Sequence, residues 1–286
     1  MAGLLSGLGK LGLKNLENMD LYEEEKKAEE PAAKAAAAAP VVQEGDFLFD
    51  KSYECTICDG KIKARTMKAG KAKLLRADTD LRPVYENIEP IKYDVILCPH
   101  CGYAAITRYF KGLTASQMKA IKENISASFQ PVKEEKETYT YEEAVDRYKL
   151  CLANAIVKRA KASEKAYICL KTGWLLRSMR ENLDKAAEDY DKKAAELKEQ
   201  EDEFIKNALE GFLAARQSES YPMCGMDEIT VEYLIAALAL ESEQFDVSSR
   251  IISNILVSPS ATSRMKDKAR DLKEMLMAKM KEKNVN

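Results

Sequence analysis

Cys55-Thr56-Ile57-Cys58-Asp59-Gly60 and Cys98-Pro99-His100-Cys101-Gly102-Tyr103 stand near the two ends of the stretch, Tyr53 to Phe110, around which the chain is organised. Each is a Cys-x-x-Cys pair followed at once by a glycine-containing turn. The two-residue gap lets both sulfurs of a pair face one ion, and the glycine permits the positive φ that turns backbone N–H groups back toward the sulfurs. Cys55, Cys58, Cys98 and Cys101 are therefore expected to hold one zinc ion. Four protein ligands fill a tetrahedral coordination sphere and leave no position for water, which makes such a site structural. A redox dithiol of thioredoxin type opens a helix after a strand and occurs once, whereas both pairs here sit in turns. Iron in the same thiolate cage is the alternative ion.

The chain has 286 residues, 46% hydrophobic and 32% charged, with a formal net charge of −2. That composition is globular and gives no global pull toward nucleic acid. Seven cysteines, an odd number, with no secretory signal, favour reduced thiols and a cytoplasmic location. No run approaches the roughly 18 continuous apolar residues of a membrane-spanning helix.

Residues 1–21 form a short arm in which Leu4, Leu5, Leu8, Leu11 and Leu16 make a weak amphipathic segment. Gly7-Leu8-Gly9-Lys10-Leu11-Gly12 fits the dinucleotide pattern by chance, since it has no preceding strand. The arm is expected to dock on its own fold, on a partner or on a membrane surface. Residues 22–45, rich in Glu, Lys and Ala and bearing Pro31 and Pro40, read as a disordered linker. Residues 46–112 read as a zinc-ribbon-like module. Phe47-Leu48-Phe49 leads as a strand into the first knuckle, the alternating Lys61 to Thr66 leaves it, and Lys71 to Arg76 is expected as the partner of Lys61 to Thr66. Tyr93 to Leu97 alternates into the second knuckle. So small a module cannot bury enough apolar surface to fold alone, so metal binding, typically about 10–16 kcal/mol in small zinc peptides, supplies its folding energy.

Residues 113–283 read as helix. Thr114-Ala115-Ser116-Gln117 and Thr140-Tyr141-Glu142-Glu143 are capping-box starts. Tyr141, Ala144, Val145, Tyr148 and Cys151 keep helical period, as do Ala166, Tyr167, Leu170, Trp174 and Leu175. A long polar helix is expected from about Asn182 to Gln217, then helices over 229–240, 245–256 and 263–283. Met265, Ala269, Leu272, Leu276 and Met280 make an apolar stripe on the last. Paired helices with small residues at close approaches and Pro259 after the second suggest a tetratricopeptide-like array. The fold class is thus α+β: a small zinc-ribbon β module, then a mostly α-helical array.

With both knuckles and the segment between them read, the chain resembles a bacterial family, domain of unknown function 2225. The resemblance rests on the first Cys-x-x-Cys, on Arg76-x-Asp78-Thr79-Asp80-Leu81-Arg82-Pro83-x-Tyr85, on Pro90-x-x-Tyr93-Asp94 and on Cys98-Pro99-x-Cys101-Gly102-Tyr103-Ala104-Ala105. It runs over about residues 47–258 and implies a zinc-ribbon-like module joined to tetratricopeptide-like helices. It implies no reaction and no ligand.

Arg76, Asp78, Asp80, Arg82 and Tyr85 are the one polar constellation that zinc does not explain. They are read either as a candidate ligand or partner site or, preferably, as an ion-pair network fixing a loop against the helices. His100, the single histidine, sits inside a knuckle and leaves almost no scope for histidine chemistry. From Lys51 to Arg76 eight Lys/Arg face Glu54 and Asp59, which invites a nucleic-acid reading, but over residues 51–110 the balance is eleven against seven. No catalytic constellation is recognisable. The expected function is a zinc-stabilised scaffold or adaptor that binds an unidentified protein through its helical half. The alternatives are a nucleic-acid-binding zinc ribbon, then an enzyme with a second metal near Asp78 and Asp80.

Overall fold

The structure, a computed structural model, describes residues 43–133 and 136–285. The leucine-bearing arm and nearly all of the linker lie outside the described residues.

Three two-stranded antiparallel hairpins come first. β1 (Leu48–Glu54) pairs with β2 (Lys61–Met67) in a register running from Leu48 opposite Met67 to Glu54 opposite Lys61. The expected partner of β2 was Lys71 to Arg76. The first knuckle decides otherwise, because its turn brings the chain straight back onto β1. There Cys55 N–H donates to the Gly60 carbonyl at 3.0 Å and Asp59 N–H to the Cys55 carbonyl at 2.9 Å. The freed segment supplies β3 (Leu74–Ala77), paired with β4 (Pro83–Tyr85). Pro83 is tolerated as the first residue of a strand, where no ladder N–H is missed.

β5 (Val95–Leu97) and β6 (Ala104–Ile106) form the third hairpin around the second knuckle. Side chains alternate across a strand, and here both faces are used. Val95, Leu97, Ala104 and Ile106 join the large core made with the helices. Ile96 and Ala105 join a second core around Cys55, Cys98 and Cys101, with Ile62, Tyr103, Phe110 and Ile121. One hairpin is therefore the shared wall of two cores, and its residues are buried throughout.

Seven helices follow: α1 (Ala115–Ile121), α2 (Tyr141–Val157), α3 (Ala162–Glu181), α4 (Tyr190–Ser218), α5 (Glu228–Glu241), α6 (Phe245–Val257) and α7 (Ser263–Val285). Both expected capping boxes are present, Thr114 with Gln117 and Thr140 with Glu143, each satisfying N–H groups that the first turn leaves without partners. The long polar helix starts at Tyr190 rather than near Asn182. Asn182 closes α3 instead, its N–H and its side-chain amide both donating to the Ser178 carbonyl, at 3.2 and 2.8 Å.

Small residues set the spacing of α3 and α4. A Cβ on Gly211 would stand 2.8 Å from the Ala166 Cβ, and one on Gly173 2.8 Å from the Ile205 Cδ1, so the two helix backbones meet where a side chain is absent. α5 is buried on every side from Val231 to Leu240 and is the helix around which α6 and α7 pack. On α7 the stripe is covered at Ala269, Leu272 and Leu276, whereas Met280 is exposed. Among the described residues no helix is long and apolar enough to cross a membrane.

Candidate metal centre

The two knuckles repeat one backbone device. In the second, Cys98 N–H donates to the Tyr103 carbonyl at 2.8 Å and Gly102 N–H to the Cys98 carbonyl at 3.0 Å, matching the bonds at Cys55 residue for residue. The fourth residue after each leading cysteine takes positive φ, at +74° in Gly102 and +58° in Asp59. The first knuckle thus departs from expectation: Asp59 makes the turn, and Gly60 serves a different need. A Cβ on Gly60 would meet the His100 ring at 3.0 Å and the Cys58 Sγ at 3.3 Å, so its hydrogen leaves room where the knuckles meet. Aspartate is among the few residues with a side chain that visit the left-handed region readily. Gly102 is required twice, since any Cβ there would also stand 2.5 Å from the Phe129 ring.

These turns bring the four sulfurs together across the knuckles. Cys55 Sγ lies 3.6 Å from Cys101 Sγ and Cys58 Sγ 3.6 Å from Cys98 Sγ, and all four are within 4.8 Å of one another. An ion bonded tetrahedrally to thiolates at about 2.3 Å holds its sulfurs about 3.8 Å apart, so the donor set fits such an ion. A disulfide requires about 2.05 Å, and all four cysteines are free. Cys55, Cys98 and Cys101 are buried and Cys58 faces solvent. Hydrogen bonds from Cys101 and Cys55 pull the Cys98 thiol down, while the hydrogen bonds to Cys55 and Cys98, with burial, hold the Cys101 proton far above the ordinary thiol range. Four sulfurs this close cannot all ionise unless a cation sits among them.

Surrounding groups fix the ligands. Ile57 N–H points at Cys55 Sγ at 3.5 Å. Tyr103 donates its hydroxyl to the Phe110 carbonyl at 3.0 Å and stacks on the Phe110 ring at 5.0 Å. Asn154 of α2 donates to the Gly102 carbonyl at 3.0 Å, tying the second knuckle to the helices. His100 is exposed, with its ring beside Gly60.

The second constellation assembles around two arginines. Arg82, almost fully buried, donates to Asp78 at 2.6 Å, to both oxygens of Glu181 at 2.8 and 2.7 Å and to the Ser178 hydroxyl at 2.9 Å. Arg177 reaches Asp80 at 3.0 Å, Glu201 at 2.6 Å and Glu241 at 2.7 Å. The Trp174 indole N–H donates to Asp80 at 2.8 Å, and Arg76 pairs with Asp78 at the surface. Asp78 and Asp80 thus lie together, not on an extended strand but on a tight turn in which Leu81 has φ +70°. Tyr85 belongs elsewhere, packed with Leu48, Ile88, Tyr93 and Tyr139. A cleft of about 580 Å³ opens over this network, with Asp78, Asp80 and Glu241 in its wall already held by arginine. Burial opposes the Arg177 charge, and Asp80, Glu241 and Glu201 more than restore it; burial pushes Glu241 and Glu89 above the usual carboxylate range.

Sequence reasoning missed the helical half of this network. Trp174, Arg177, Ser178 and Glu181 follow each other at intervals of three, one and three, which places them on one face of α3. A tryptophan leading a charged stripe at helical spacing was the available signal.

A model of the family DUF2225, described as an uncharacterized protein conserved in bacteria, matches residues 48–276. The chain belongs to this family. No curated protein and no solved structure matches it. Both knuckles, the Arg76–Tyr85 segment and the helices from α1 to α6 fall inside the matched span of the family.

Metal content tests the first site and unfolding stability the second. Elemental analysis of reduced protein should find one metal ion per chain, and Cys98→Ser should remove it and lower unfolding stability by more than about 3 kcal/mol; full metal content in that variant would refute the site. Arg177→Met leaves Asp80, Glu201 and Glu241 without their shared partner and should cost about 3–5 kcal/mol in urea unfolding. Arg76→Ala, at the surface, should cost no more than about 1 kcal/mol; equal losses would show the network is not held by its buried members.

Proposed function

We propose that the protein is a non-enzymatic scaffold of the reducing cytosol, with zinc as its structural ion and a tetratricopeptide-like array that captures a segment of another protein. The closed set of four thiolates supports a structural ion, because a catalytic one keeps a position open. The carboxylates that would serve a hydrolase are engaged with arginine, which supports the non-enzymatic reading.

The observation that carries protein binding is a groove of about 680 Å³ between α2, α3 and α4. Leu152, Ile156, Ala166 and Phe204 give it an apolar floor, and Ile156 is 58% exposed. Lys149 and Lys165 stand in its walls with Glu203 and Glu210, and none of these four has an ion-pair partner among the described residues. An amphipathic helix offering an apolar anchor flanked by an acid and a base matches that lining. The nucleic-acid alternative draws on exposed Lys61 and Lys63 of β2, where the neighbouring Arg65 is already paired with Asp50 at 3.3 Å.

Full-length protein carrying a photo-crosslinker at Ile156 should trap a discrete partner in native cytosol. Phe204→Asp should abolish that product, whereas Met277→Asp on α7 should not. A product insensitive to Phe204→Asp, or nuclease-sensitive retention lost on neutralising Lys61 and Lys63, would overturn the proposal. Zinc in the metal analysis supports the assigned ion; iron, with its visible absorbance, overturns it.

A further inference from the structure

A second concavity, distinct from the groove, the knuckles and the arginine network, is built from cations. It lies where the β6–α1 connection, the α2–α3 loop and the loop between α4 and α5 meet, and encloses about 380 Å³. Arg108, Lys111, Lys158, Arg159 and Lys161 line it against two carboxylates, Glu164 and Glu219. Both carboxylates are consumed inside the fold. Glu164 holds the buried Lys158 at 2.6 Å. Glu219 accepts the Ser163 N–H at 3.0 Å and the Ser163 hydroxyl at 2.5 Å, one on each oxygen. Arg108, Lys111, Arg159 and Lys161 are left exposed, with no carboxylate partner among the described residues.

The cations stand on fixed backbone. Arg159 has φ +52° in the loop that ends α2, where its own N–H donates to the Ile156 carbonyl at 3.0 Å and the Ala160 N–H to the Ala155 carbonyl at 2.8 Å. Gln117 of α1 donates to the Lys158 carbonyl at 3.3 Å and anchors that loop from the other side. The Arg108 guanidinium lies 5.7 Å from the Tyr167 ring centre and covers the bare Cα of Gly225, where a Cβ would stand 2.8 Å from its nitrogens. Cys224, also in the wall, donates its thiol to the Ser163 carbonyl at 3.2 Å, and burial raises its pKa, so it adds no negative charge. A cleft with a surplus of one sign of charge focuses its field on an incoming counter-ion, and an arginine fork held in place, as that of Arg108 is, suits phosphate oxygens.

We propose that this crevice binds the clustered phosphate groups of a small soluble ligand, such as a di- or triphosphate. Five cations against two carboxylates leave the lining three positive charges in excess, which calls for a ligand of several negative charges, and a concavity of this size admits a small molecule.

Inorganic tripolyphosphate titrated calorimetrically into the full-length, metal-loaded protein at 150 mM salt tests this. One saturable site is expected, and Arg159→Gln with Lys161→Gln should weaken it at least tenfold while circular dichroism and metal content stay unchanged. Lys61→Gln with Lys63→Gln, the same change of net charge on β2, should alter it less than twofold. Absence of saturation, or equal loss from both pairs, overturns the proposal. So does a 20-nucleotide single-stranded DNA that binds more tightly than tripolyphosphate and is weakened by the Arg159 and Lys161 substitutions, because the surface is then a nucleic-acid site.

Discussion

Four sulfurs drawn from two turns more than forty residues apart share one small volume, and the β1–β2 and β5–β6 hairpins are arranged to let them. Each turn closes on itself by the same pair of backbone bonds, so each delivers two sulfurs on a rigid frame. The close sulfur contacts run between turns, Cys55 to Cys101 and Cys58 to Cys98. An ion bonded there is a cross-link between β1–β2 and β5–β6. It restricts the unfolded chain as a disulfide does, with the added penalty that thiolates without the cation repel one another. Strands of three residues are too short to persist alone; burial between two cores holds β5 and β6 in place, and an ion in the knuckles would add to that constraint.

The arginine network does a different job. Buried ion pairs recover little net stability, because desolvation offsets most of their attraction. Burial raises the pKa of Glu241, and of Glu89, which accepts the Ser178 hydroxyl at 2.7 Å beside Arg82, in keeping with that cost. What the network adds is geometry. Arg82 reaches from the β3–β4 turn to α3, and Arg177 reaches from α3 to that turn, to α4 and to α5. Any other seating of the turn leaves several charges without partners in a dry interior, which is a strong penalty against alternatives.

The parts that were legible in the sequence are those with short-range causes. Cysteine spacing read correctly because two intervening residues suffice to aim both sulfurs. Thr114 and Thr140 read correctly because a capping box closes within four residues. Reasoning failed where the deciding partner was remote or the local signal was degenerate. Lys61 to Thr66 alternates in a way that suits either neighbour, and only the knuckle's turn selects β1. Asn182 to Asp189 has ordinary helix-compatible residues, yet Asn182 spends its amide on ending α3. Trp174 fitted an apolar stripe, and its indole N–H bond to Asp80 spans 94 positions. The positive φ of Asp59 was masked by the glycine beside it.

The β5–β6 hairpin, with Val95 and Leu97 turned to the helices and Ile96 to the cysteines, joins the cysteine core to the helical core among the described residues. Cutting before it strips the cysteine core of its ceiling, and cutting after it uncovers the flank of α2. Recombination that traded either portion for a foreign counterpart would also have to rebuild that party wall, a demand set by three residues' worth of pleat.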